Sequence, residues 1–175
     1  MSQNGPQNAP DDPDLPSFPI AFKFTQDSLA DQIAQSGSLD VKANFVLGAA
    51  TTLIATILTL QTVFPLPQTL ASSRLILQII LLILYLATMV SGFIAYWLRA
   101  YKEINPVQLA DKYLTWTTVD TNRAIYTGMV EDYKVNDNIL KAKVLWLEVS
   151  FTLLLLEALG VVIVLFLQFL DKLFP

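Results

Sequence analysis

The stretch from Val144 to Leu170, VLWLEVSFTLLLLEALGVVIVLFLQFL, contains only two charges, Glu148 and Glu157, in an almost unbroken apolar run. A helix rises 1.5 Å per residue, so roughly 20 apolar residues cross the 30 Å of hydrocarbon in a bilayer. This stretch is long enough to do so. Upstream, residues 75–98 form a second charge-free run between Arg74 and Arg99, and residues 44–64 form a third. A chain of 175 residues is too short to surround three such helices with protein on every side. The expected fold is therefore an all-α integral membrane protein, with three transmembrane helices and a long helical cytoplasmic segment between the second and third.

Composition agrees. Hydrophobic residues make up 54% of the chain and charged residues 15%, against about 25% charged in ordinary soluble domains. There is no histidine and no cysteine, which excludes thiol nucleophiles, histidine bases, disulfide frameworks and His/Cys zinc sites. A formal charge of −4 with 11 basic residues leaves no electrostatic footprint for nucleic acid. No phosphate-cradling glycine loop or metal-ligand cluster is present in the sequence. The expectation is a protein that is not an enzyme and carries no cofactor or metal.

Residues 1–24 read as a disordered tail rich in proline and aspartate, without the apolar core of a cleavable signal. The first span would then act as an uncleaved signal. The alternation of Phe18, Ile20, Phe22 and Phe24 at the end of this tail is a candidate docking element. Residues 25–37 read as a short amphipathic helix, with Leu29 and Ile33 on one face and Gly37 as its terminator. Ser38 then caps the first span, and Asp40 complements its dipole. Pro65 and Pro67 stop that span and open a tight hairpin into the second.

Lys42, Arg99, Lys102, Lys141 and Lys143 flank the spans on one side, and Arg74 and Lys172 on the other. The positive-inside rule places the N-terminus and residues 99–143 in the cytoplasm of a multi-pass inner-membrane protein. Trp97 and Trp146 mark the same interface. In the cytoplasmic segment, Asn105-Pro106 is a helix start, and Asn136-Asp137-Asn138 is the one plausible break. Interspersed acidic and basic residues read as a solvated face, with anion binding by the lysines and arginines as the rarer alternative. Val119, Tyr126, Val130, Tyr133 and Leu140 keep a 3-4 spacing that continues into the span through Val144, Leu147, Phe151, Leu154, Ala158, Val161 and Leu165. That stripe reads as an assembly surface, packed on the N-terminal helix or on a neighbouring subunit.

Four hydroxyl residues and two carboxylates are the intramembrane polar candidates. Gly48, Thr52, Thr56 and Thr59 share one face of the first span, a pattern suited to close helix packing or to a hydroxyl-lined path. Glu148 lies about one turn inside the third span, where Lys42 or Lys102 could pair with it. Glu157 is about thirteen residues in, where an exposed carboxylate costs about 2.5–3.5 kcal/mol. It should face protein or water. Thr56, Thr59, Tyr85 and Thr88 lie at the same depth, so either a neutral Glu157 hydrogen-bonds to hydroxyls such as Thr56 or Tyr85, or several copies form a ring around a pore or proton path.

Asp40-Val41-Lys42-Ala43 entering the first span, the two-span hairpin, and Tyr133 and Asn136 upstream of the Lys141/Lys143 pair resemble the Pycsar transmembrane effector family of bacterial cyclic-nucleotide anti-phage defence. The resemblance covers residues 28–170. It implies a homo-oligomer that perturbs the membrane in response to a nucleotide signal, with a cyclic nucleotide as candidate ligand. No nucleotide-binding domain is recognisable. The other readings are an assembly subunit of a larger membrane complex and a small ion or proton channel centred on Glu157.

The orientation has a direct test, since the chain lacks cysteine. A membrane-impermeant maleimide applied to intact cells should label a Leu70→Cys variant and leave Asp120→Cys unlabelled. The reverse pattern overturns the assignment.

Overall fold

The computed structural model describes residues 17–63, 71–98 and 116–173. They form three helices, α1 (Phe18–Val63), α2 (Ala71–Trp97) and α3 (Thr118–Leu173). All three are long and apolar enough to span a membrane. Residues 1–16, the Pro65–Pro67 hairpin and the Asn105-Pro106 helix start lie outside the described residues.

Two expected boundaries are absent. α1 begins at Phe18 and passes through Gly37 and Ser38 without a break, so Phe18–Phe24 is neither tail nor alternating strand. No residue adopts positive φ, and Gly37 therefore does not terminate a helix in the usual left-handed conformation. The apolar contacts of the flanking turns outweigh the roughly 1 kcal/mol that an internal glycine costs. Likewise α3 runs through Asn136-Asp137-Asn138. Its start is a side-chain cap: Asp120 N–H donates to Thr117 Oγ1 at 3.2 Å, and that hydroxyl donates to Asp120 Oδ2 at 2.7 Å. The cap satisfies an amide that has no partner within the helix.

The chain divides into two compact units, Met1–Gly37 with Arg99–Leu140, and Ser38–Leu98 with Lys141–Pro175. In the first, α1 buries Phe18, Thr25, Gln32 and Ser36, and α3 buries Met129, Asn136 and Leu140. Phe18 meets Tyr126 edge-on, with ring centroids 5.6 Å apart. Gln32 Nε2 donates to the Tyr133 carbonyl at 3.3 Å.

The second unit is a three-helix bundle. One apolar cluster joins Ala43, Val46 and Ala50 of α1, Ala95 of α2, and Leu147 and Leu154 of α3. Another joins Ile57, Leu81 and Val161. The paired levels show that α1 and α3 run in the same direction and α2 against them. Glycine permits the closest approaches: a Cβ on Gly92 would lie 2.9 Å from Leu47 Cδ2 and 3.1 Å from Ser150 Oγ, and one on Gly160 would collide with Leu81. The outer surfaces stay apolar, with Phe45, Ile83, Val90, Leu155, Val162 and Phe166 all more than half exposed.

The structure corrects the course of the α3 stripe. Leu140, Leu147, Leu154 and Val161 face inward, but the positions alternating with them are Asn136, Lys143, Ser150 and Glu157. Val144, Phe151 and Leu165 are exposed instead. In lipid the surroundings of a bundle are as apolar as its core, so apolar character carries no inward signal, whereas polar groups must turn inward.

Substitutions at glycine separate tight from open positions. Gly92→Val should destabilise the bundle by about 1–3 kcal/mol through overpacking. Gly128→Ala, with nothing within 4 Å, should stabilise α3 by about 0.5–1 kcal/mol. Unfolding of both variants in detergent, followed by circular dichroism, checks the pair; equal effects would contradict the described packing.

Candidate functional site

The inward face of α3 repeats a polar residue every seventh position: Asn136, Lys143, Ser150 and Glu157. Seven residues are close to two helical turns, so these side chains stack on one face about 10 Å apart. All four are within 1% of complete burial.

Lys143 meets α1. Its Nζ lies 2.6 Å from Asp40 Oδ1, with the lysine side chain fully buried and the aspartate 21% exposed. Asp40, expected to complement a helix dipole at the head of the first span, sits mid-helix and serves as a counter-ion. Ser150 meets α2. Its Oγ donates to the Thr88 carbonyl at 3.1 Å, while the Thr88 and Ser91 hydroxyls donate to the carbonyls of Leu84 and Ala87 at 2.9 and 2.8 Å. Glu157 lies between Leu154 and Val161 on the stripe, at the junction of the two apolar clusters. It is fully buried, and neither carboxyl oxygen has a hydrogen-bond partner.

The expected bonds from Thr56 and Tyr85 to Glu157 are therefore not formed. Thr56 is exposed on the far side of α1 and donates to the Thr52 carbonyl at 2.8 Å. Tyr85 is half-buried against the cluster around Ala43 and Leu154. A ring of Glu157 side chains around an axis shared by several copies also does not fit this arrangement, because the carboxyl points into its own bundle. Thr52 and Thr59 are exposed with Gly48, and both hydroxyls donate to carbonyls of their own helix at 2.9 Å. Within the chain, the small-residue face packs on nothing; Ala43, Val46, Ala50 and Ile57 supply the packed face. Hydroxyls point outward because the carbonyl four residues back satisfies them.

Glu148 is exposed and makes no ion pair among the described residues, and Lys42 is exposed as well. Lys102 lies outside the described residues. Glu148 falls one position off the inward stripe, which turns it outward. The cytoplasmic stripe splits likewise: Leu140 is buried, Tyr126 and Val130 are partly buried, and Val119 and Tyr133 are exposed at 40% and 38%. Tyr126 is occupied by Phe18 of the same chain. Of the buried polar residues, Ser91, Ser150 and Gln32 were not expected from composition or depth. The signal that reveals the α3 group is its seven-residue period, interleaved with Leu140, Leu147, Leu154 and Val161.

No protein family, curated protein or solved structure matches the chain.

A double substitution isolates the ion pair. Removing one partner of a buried pair costs about 3–5 kcal/mol, whereas an apolar replacement of both is far milder. Lys143→Met alone should destabilise the bundle strongly, and Asp40→Leu in the same chain should recover most of the loss. Chemical denaturation of single and double variants checks this; additive losses would deny the coupling.

Proposed function

We propose that the chain is a non-enzymatic, homo-oligomeric effector of the inner membrane that perturbs the bilayer in response to a nucleotide signal, with its N-terminus and residues 99–143 in the cytoplasm. One observation supports this reading above others. Asp40 belongs to the first motif of the Pycsar effector resemblance and Lys143 to the second, and the two form one buried ion pair. Asn136, also in the second motif, is 1% exposed, and the Tyr133 carbonyl accepts the Gln32 amide. Residues that are remote in sequence and define the resemblance thus meet between α1 and α3, as expected if they serve one mechanism.

The outward face of α1 suits self-association. Gly48, Thr52, Thr56 and Thr59 present small side chains to the bilayer, and small residues let helices approach closely where no hydrophobic force drives them together. The ligand is a cyclic nucleotide in this reading, held by the cytoplasmic part of the assembly.

The test is expression in bacteria with and without a co-expressed cyclic-nucleotide synthase. Depolarisation and growth arrest are expected only when the nucleotide is made. Native purification should give a self-assembled species, and Thr52→Leu with Thr56→Leu should reduce its mass. A stoichiometric foreign partner with no depolarisation would replace this reading with that of an assembly subunit.

A further inference from the structure

We infer that the interior of the three-helix bundle holds a proton-transfer path that terminates at Glu157, within a single chain. The inference rests on the membrane-effector reading and gives its action a chemical form, a proton leak. Three levels of buried or partly buried polar groups follow one another on the inward side: Asp40 with Lys143, then Ser91 and Thr88 with Ser150, then Tyr85 with Glu157. The contacts of Gly92 with Ser150 and of Gly160 with Leu81 put Tyr85 at about the height of Glu157, by equal counting along antiparallel helices.

Each level contains a group that can give or take a proton, and the whole column covers about 21 Å of helix rise from Lys143 to Glu157. Beyond Glu157 the column ends in an apolar plug of Ile57, Leu81 and Val161, with Leu53, Ile54, Leu77 and Val164 packed against it. The path is therefore closed on that side in this conformation and reaches Glu157 from the Lys143 end.

The unpartnered carboxyl carries the argument. A buried polar group without a partner is costly, and in membrane helices ionisable residues mark ion or proton relays. A purely packing role would use the available hydrogen-bond donors, yet both Glu157 oxygens are left open. Tyr85 is the one titratable side chain that α2 presents between Leu77 and Met89, and α1 has none between Ala50 and Ile57. No basic group competes for the carboxyl at this depth. The interior of three close-packed helices is also too narrow for a hydrated metal cation, which leaves the proton as the transported species.

The full chain, reconstituted in liposomes with a trapped pH-sensitive dye and driven by a valinomycin-set potassium potential, should show proton flux without release of a small anionic dye. Glu157→Gln should lower that flux about a hundred-fold, the low end of what a positioned proton-transfer group contributes. Glu157→Asp, which keeps the acid but shortens it, should retain more flux than Gln, whereas a packing role would favour the isosteric Gln. The Gln variant should keep the assembly mass and unfolding midpoint of the parent. Flux unchanged in Glu157→Gln, dye release at a comparable rate, or no proton flux in the parent chain would each overturn the path. Depolarisation of cells that survives Glu157→Gln would overturn the path alone and leave the effector reading standing; absence of any depolarisation would remove both.

Discussion

An ammonium group flanked by apolar helix can be stable only where a carboxylate awaits it, and Lys143 has one place to go. With its side chain wholly buried and Nζ 2.6 Å from Asp40 Oδ1, it sets the rotation of α3 about its own axis. A turn of one residue would swing the charge toward lipid, at a cost of several kcal/mol. Once Lys143 is fixed, the seven-residue period fixes Ser150 and Glu157 on the same face, and the Ser150 contact to Thr88 then fixes α2. Apolar clusters fill the space between these polar levels without choosing among rotations, since lipid would receive the same side chains nearly as well.

That division of labour explains which parts of the fold were legible in the sequence. The length and purity of residues 44–64, 75–98 and 144–170 identify three helices able to span a bilayer, because the requirement for internally satisfied backbone is absolute in hydrocarbon. The facing of α3 was not legible by the same reasoning. Following Val144, Phe151 and Ala158 gives an apolar seam that is continuous and mostly turned away from the bundle. Following Lys143, Ser150 and Glu157 gives the interior. Gly37 and Ser38 misled for a different reason: local signals for a helix stop are worth about 1 kcal/mol, less than the contacts made by the turns on either side. Of the candidate polar residues, the depth of Glu157 was readable from residue count, but its lack of hydrogen bonds depends on where Thr56 points.

The two sets of intramembrane polar side chains obey opposite rules. Thr52, Thr56 and Thr59 face outward because a hydroxyl can return its one proton to a carbonyl a turn earlier, leaving little polarity for lipid to meet. A carboxyl on a longer stem has no such refuge on its own helix, so Glu157 turns inward even without a partner. Outward hydroxyls are therefore compatible with contacts between copies, while the inward carboxyl belongs to the chemistry of one copy. This separation places assembly and transport on different faces, where each can change without disturbing the other.

The seven-residue spacing on α3 also governs how the gene can change length. Inserting one residue ahead of Lys143 rotates everything downstream by about 100°, sending Lys143 and Glu157 into lipid together. Inserting seven restores their facing to within about 20°. Natural or engineered versions of this helix can thus lengthen or shorten in steps of seven, and a single-codon insertion or deletion in the same place acts as a null allele even though it alters no polar side chain.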